Sequence, residues 1–177
     1  MTHTIRPATT DDAGALAALA TVTFPLACPP STSPEDIAAH LANTLSEQHF
    51  RTYLGDPDVT VLVIDGEGAL RGYSLLVNRP AADPDVSAVL TLTPSVELSK
   101  CYVHPGHHGL GAAAELMHAS LQAAAGSGAA GVWLGVNSQN ARAIRFYEKS
   151  GFRRVGTKSF RLGNTVEHDF VLERALP

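Results

Sequence analysis

Short apolar blocks dominate the middle of the chain, where VTVLVI (59–64), LRGYSLLV (70–77), VSAVLTL (86–92) and SVELSKCYV (95–103) are separated by turn-forming residues. Blocks this short, rich in Val, Leu and Tyr, predict four strands, and the DGEG between the first two predicts a hairpin. On either side the apolar period lengthens to that of a helix. Leu16, Leu19 and Val22 follow an N-cap at Thr10 or Asp11, so a first helix is expected until Pro25, Pro29 and Pro30 break the chain. Ser33-Pro34-Glu35-Asp36 offers an N-cap, a proline at the first helical position and two acids in the first turn, and Ile37, Leu41 and Leu45 then form one face. A third short helix carries Phe50 and Leu54 and ends at GDPD, while NRPAADPD reads as a proline-broken loop.

Beyond residue 103 the two periods alternate. Leu110, Ala113, Met117, Leu121 and Ala124 predict a helix running to about Ala125, which GSGAAG ends; VWLGV (132–136) is a buried strand; NARAIRFYEKS (140–150) is a helix stopped by Gly151. Two more strands lie within 153–161 and 165–173, and His3 to Arg6 forms a short first strand. The order is that of a mixed α/β sandwich. At 177 residues and 45% hydrophobic, one domain with one well-buried core is expected, spanning 1–177.

Composition narrows the function classes. The N-terminus lacks a charged segment followed by an apolar run, and nowhere do about 18 apolar residues follow one another, so neither a signal peptide nor a membrane span is read and a cytoplasmic protein is expected. Cys28 and Cys101 are too few for a disulfide framework and lack metal-type spacing. Net charge is -4, which gives no basic footprint for nucleic acid. The charge is unevenly spread: residues 1–100 carry five Lys/Arg against twelve Asp/Glu, residues 101–177 eight against five. An anionic ligand suits the second part and a cationic one the first, although solvated faces account for most such charges.

The stretch GLGAAA (109–114) fits the dinucleotide fingerprint G-x-G-x-x-G/A, yet its surroundings do not. A dinucleotide fold places that loop on its first strand-helix turn, with an acid about 20 residues on. Here only 66 residues follow Gly111, and no acid lies between Glu115 and Glu148. Five residues, His104 to His108, also separate the strand from Gly109. What remains is a glycine turn opening a helix, whose free N–H groups and positive end suit a phosphate; close helix-on-strand packing is the alternative reading of the glycines.

Two motifs in sequence decide between these. VELSKCYVHPGHHGLGAAAELM followed by VWLGVNSQNARAIRFYEKSGFRRVG resembles the GNAT superfamily of acyl-coenzyme-A N-acyltransferases, most strongly over residues 95–161. The phosphate signature Q/R-x-x-G-x-G/A falls on His108-Gly109-Leu110-Gly111-Ala112-Ala113, with His108 where Arg or Gln is usual. The second signature, N-x-x-A-x-x-F-Y-x-x-x-G-F, is matched from Asn140 through Ala143, Phe146, Tyr147 and Gly151 to Phe152. The tail, including WLGV and GTKSF, also resembles PaiA-type spermidine/spermine N-acetyltransferases. The resemblance implies a mixed, mostly antiparallel sheet of about seven strands, splayed in the middle and flanked by about four helices. It implies acetyl-CoA as co-substrate and no metal.

It further implies that the strands near 96–103 and 132–136 diverge and that the pantetheine arm pairs in the gap. Main-chain groups of Cys101 and Val103, flanking Tyr102, would bond its amides, with Asn140 reaching from the other wall. Residues 108–113 would hold the pyrophosphate. Cys101 is read as a packed residue, since direct transfer needs no acyl-enzyme.

The acceptor is implied to be a small-molecule amine, a polyamine among the candidates. An amine with pKa of about 10.4 is neutral roughly once in two to three thousand at pH 7, a handicap of about 4–5 kcal/mol. Glu97 is the candidate base, with pairing to Lys100 as its structural alternative; Tyr147, still protonated at pH 7, is the candidate acid for the departing thiolate. Arg142, Arg145 and Lys149 are placed against the adenosine 3′-phosphate or on a solvated face, and His104, His107 and His108 are read as surface histidines rather than zinc ligands. The acceptor pocket is expected from residues 24–54 and 78–94, with Phe24, Pro29, Glu47 and Phe50 as candidates. A homodimer is a family expectation. A silent acyl-CoA-binding module and a protein N-acetyltransferase are the alternatives.

Overall fold

The computed structural model describes residues 2–177. Seven strands form one sheet in the order β1-β2-β3-β4-β5-β7-β6. They are β1 (Thr4–Pro7), β2 (Val59–Gly66), β3 (Ala69–Val77), β4 (Ser95–Val103), β5 (Gly131–Asn137), β6 (Arg153–Leu162) and β7 (Thr165–Ala175). Neighbours are antiparallel except β4 and β5. Helices α1 (Ala13–Ala27), α2 (Pro34–Thr44), α3 (Glu47–Gly55) and α4 (Pro84–Val89) precede β4, whereas α5 (Ala112–Gly126) and α6 (Ala141–Lys149) flank β5. Among the described residues no helix is long and apolar enough to cross a membrane.

Strand alternation sorts the core into two layers. Val61, Val63, Tyr73 and Leu75 point to one face, where they bury Leu16, Leu19 and Phe24 of α1 and Phe50 of α3. Leu62, Ile64, Leu76, Val132, Leu134 and Val136 point to the other, against Leu116 and Met117 of α5 and the apolar side of α6. The helices before β4 therefore cover one face, and those after it the other.

Three expectations from the sequence need correction. The block 86–92, expected as a strand, holds α4: Asp83 caps the Asp85 N–H at 2.9 Å and Pro84 opens the helix, a start signal that outweighs the β propensity of the valines. Val86 and Val89, one turn apart, then pack on Trp133 and Val171. Val22 is exposed, the buried face of α1 passing instead through Leu19, Ala20, Thr23 and Phe24. Pro25 sits inside α1, which continues to Ala27, rather than breaking it.

Candidate active site

Strands β4 and β5 touch over three pairs only, Ser95 with Gly131, Val96 with Val132 and Glu97 with Trp133, and diverge beyond them. The divergence begins where β4 carries an extra residue. Leu98 faces Leu76 and Lys100 faces Leu75, so Ser99 is a bulge. A bulge bends its strand and reverses the facing of the residues after it. Hence Leu98 packs with the α5 layer and Lys100 and Tyr102 turn to the α1 side.

The backbone beyond the bulge has a free side. The His104 N–H donates to the Arg71 carbonyl of β3 at 2.7 Å. By alternation, Tyr102 faces β3 too, and the main-chain groups of Cys101 and Val103 face the gap. One of these is already used: His108 donates from Nε2 to the Val103 carbonyl at 2.8 Å, folding its ring onto β4 and away from the glycine turn.

At the mouth of the gap the chain enters α5 through Gly109 and Gly111, both in the left-handed region with φ of 80° and 81°. No atom lies within 4 Å of where a Cβ would stand at either, so they serve the turn and leave open space before it rather than tight helix-strand packing. The first helical bond is from the Glu115 N–H to the Gly111 carbonyl at 3.1 Å, which leaves the N–H groups of Ala112 to Ala114 without intrahelical acceptors. Leu110 precedes α5 and is 63% exposed, outside the apolar face assigned to it.

A cavity of about 490 Å³ runs through the gap and joins the two sides of the sheet. Of the residues singled out in the sequence it is lined by Glu97, Cys101, Tyr102, Val103, His108, Ala113, Asn140 and Tyr147, and by Arg142. Asn140 caps α6, its Oδ1 accepting from the Ala143 N–H at 3.2 Å, and the residue lines the cavity. Tyr147 packs on Phe146 and Phe152 in the α6 layer, and burial raises its hydroxyl pKa well above the usual 10. Burial also raises Glu97 above the ordinary carboxylate value, partly offset by the positive charges of Lys100 and Lys158. The same burial lowers Lys100, with Glu97 opposing the shift. Cys101 is pushed up to about 12 by burial, so its sulfur is a thiol and a poor nucleophile at neutral pH.

The acceptor-side wall agrees with the sequence reading in part. Phe24 and Pro29 line the cavity, but Phe50 lies in the core and Glu47 pairs with Arg51 at 2.8 Å on the surface of α3. The 78–94 segment contributes no lining residue; α4 lies against β6 instead. Cys28, His40 and Tyr53 line the cavity from within the expected 24–54 range, and in place of 78–94 stand Lys158, Glu167 and Asp169 of β6 and β7, which the sequence did not single out. Asp169 is 8% exposed, and its Oδ1 is buried with no hydrogen-bond partner among the described residues. The only sequence signal for the two acids was their i, i+2 spacing on a closing strand.

A model of the acetyltransferase (GNAT) family matches residues 24–152. An "uncharacterized N-acetyltransferase" of Mycobacterium tuberculosis is 48% identical over 165 residues, which cover 93% of this chain and 98% of that one. The chain belongs to the GNAT family. It is an N-acetyltransferase. Among solved structures, PaiA N-acetyltransferase from Thermoplasma acidophilum in complex with coenzyme A matches with a TM-score of 0.79 and 20% identity over 99% of both chains. Salmonella typhimurium YncA with its cofactor acetyl-CoA matches with a TM-score of 0.66 and 23% identity over 100% of this chain and 95% of that one. At such identities these two show that the GNAT fold is shared.

Proposed function

We propose that this GNAT enzyme moves the acetyl group of acetyl-CoA to a primary amine of a small molecule by direct attack in a ternary complex. The observation that carries the reading is the gap that opens between β4 and β5 after Glu97, with the glycine turn of α5 at its mouth. The main-chain groups of Cys101 and the N–H of Val103, whose carbonyl is taken by His108, match the amides of an extended arm, and the open first turn of α5 matches a pyrophosphate. When bound, acetyl-CoA supplies an activated thioester. The residues Cys101 to Val103, His108 to Ala113 and Asn140 hold it, His108 through its main chain while its ring braces the Val103 carbonyl.

Acid and base approach from opposite faces of the sheet. Glu97, on the α1 side, accepts the proton that an incoming ammonium must lose. Tyr147, rising from the α6 layer, stays protonated throughout the neutral range and donates to the departing sulfur. Two faces keep the two protons apart, so neither group neutralises the other. Calorimetry is expected to show uptake of coenzyme A, and a panel of primary amines with acetyl-CoA is expected to include one that releases thiol in proportion to its concentration. Binding without any amine-stimulated thiol release would instead mark a silent acyl-CoA-binding module.

A further inference from the structure

The chain holds only three lysines, Lys100, Lys149 and Lys158. Lys149 is exposed on α6, whereas Lys100 and Lys158 line the cavity. Their amines go to different places. Lys100 stays on its own side of β4, its Nζ donating to Ser99 Oγ at 3.2 Å and lying 5.3 Å from the centre of the Tyr53 ring. Lys158 starts on β6, crosses β7 and reaches β5. It passes Asp169 of β7, with Nζ 3.8 Å from Oδ2, and lies over Gly135 of β5, where an added Cβ would come within 2.5 Å of its Cε and 3.4 Å of its Nζ.

Gly135 has a definite place relative to the gap. The last β4–β5 pair is Glu97 with Trp133, so Gly135, two residues on, is level with the Ser99 bulge where the strands part. The ammonium of Lys158 thus lies on one wall of the gap, on the same face as Glu97, whose carboxylate feels its charge. It is also weakly held. A separation of 3.8 Å exceeds a hydrogen bond, the Phe160 ring centre stands 5.7 Å away, and Asp169 keeps its other oxygen buried with no partner among the described residues. A primary amine therefore already lies on the wall of the gap into which the acetyl-CoA reading brings the acceptor amine.

We propose that Lys158 is the enzyme's own acetyl acceptor when no free amine fills the cavity. This rests on the acetyl-CoA reading above. Glu97 takes one proton from the Nζ ammonium, and the freed lone pair bonds to the thioester carbonyl carbon as the carbon–sulfur bond breaks. Sulfur takes the Tyr147 proton, the second proton leaving Nζ goes to solvent on the α1 side, and Tyr147 regains one from solvent on its own side. The sum is Nε-acetyl-lysine, coenzyme A and one proton passed from Glu97 to solvent. The product is neutral and bulkier, so it fills the acceptor site and removes the cation facing Asp169.

The test incubates the full chain with acetyl-CoA and no amine, and maps acetyl-lysine by peptide mass. Lys158 is expected to be modified at least about tenfold faster than exposed Lys149, the advantage coming from its placement beside the gap. Lys158→Arg should remove that modification. A second variant reads the same geometry without self-modification: Lys158→Ala vacates the position, and n-propylamine should then be acetylated about tenfold faster than by the parent chain. Modification of Lys100 or Lys149 in preference, an even spread, or no modification while free amines are turned over would overturn the inference and leave the acetyl-CoA reading standing. Absence of both coenzyme A uptake and thiol release would end both.

Discussion

Two side chains carry the proposed chemistry, and burial raises the pKa of both, which keeps one an acid and makes the other a better base. Tyr147 is held neutral and able to donate, while Glu97 is made a stronger base than a solvated carboxylate. Tyr147→Phe should lower kcat by about 10²-fold or more with the fold intact, and full turnover by that variant would remove the hydroxyl from its role. Because Glu97 works only when deprotonated, kcat/KM should rise with pH through a limb lying above the ordinary carboxylate value, and Glu97→Gln should abolish that limb. Lys100 and Lys158 lower the Glu97 pKa by their charge. Lys100→Met is therefore expected to move the limb to higher pH; an unmoved limb would mean that another group titrates. At this scale the motif residues Asn140 and Tyr147 were legible because their spacing is specific. Lys158, Glu167 and Asp169 were not, since strand pairing, and no local pattern, brings them to the cavity.

At the scale of elements, the turn into α5 concentrates the demands on backbone conformation. Gly109 and Gly111 stand in open space, so an added methyl group meets no atom and its cost is conformational. Gly111→Ala should lose about 1–2 kcal/mol of stability from a left-handed residue, and should weaken coenzyme A binding further because the methyl occupies the space facing the first turn. Gly126 is the comparison, lying at the other end of the same helix with nothing within 4 Å and no positive φ. Gly126→Ala should be neutral or stabilising by about 0.4–1 kcal/mol. Equal effects of the two on coenzyme A affinity would show that the turn does not face the ligand. The boundaries of β4 were readable from its own residues, yet the bulge at Ser99 was not, because a bulge is defined by the partner strand. The α4 segment shows the reverse: Asp83 and Pro84 announced a helix in plain view, and the valines after them hid it.

Across the whole molecule, the order of elements along the chain, α4 apart, followed from the alternation of strand and helix periods, but the position of the gap depends on a long-range anchor. Glu173 of β7 is fully buried and accepts from the Thr91 N–H at 3.0 Å, the Leu92 N–H at 3.3 Å, the Thr91 hydroxyl and Arg153 at 2.9 Å. It thereby ties the segment entering β4 to the strand beside β5. Just beyond, the Ala130 N–H donates to the Pro94 carbonyl at 2.7 Å and the three β4–β5 pairs begin. Fixing where β4 starts fixes how many residues pair before the bulge, and so where the gap opens. Glu173→Ala strands these donors and leaves a void, which should cost about 2–4 kcal/mol. For a chain of this length that corresponds to a fall in melting temperature of roughly 4–16 °C. The loss should also reach the gap: at temperatures where the variant remains folded, coenzyme A affinity should fall, although Glu173 is not among the residues lining the cavity. A variant that melts earlier but binds coenzyme A as the parent does would show that the paired start of β4 holds its register without this anchor.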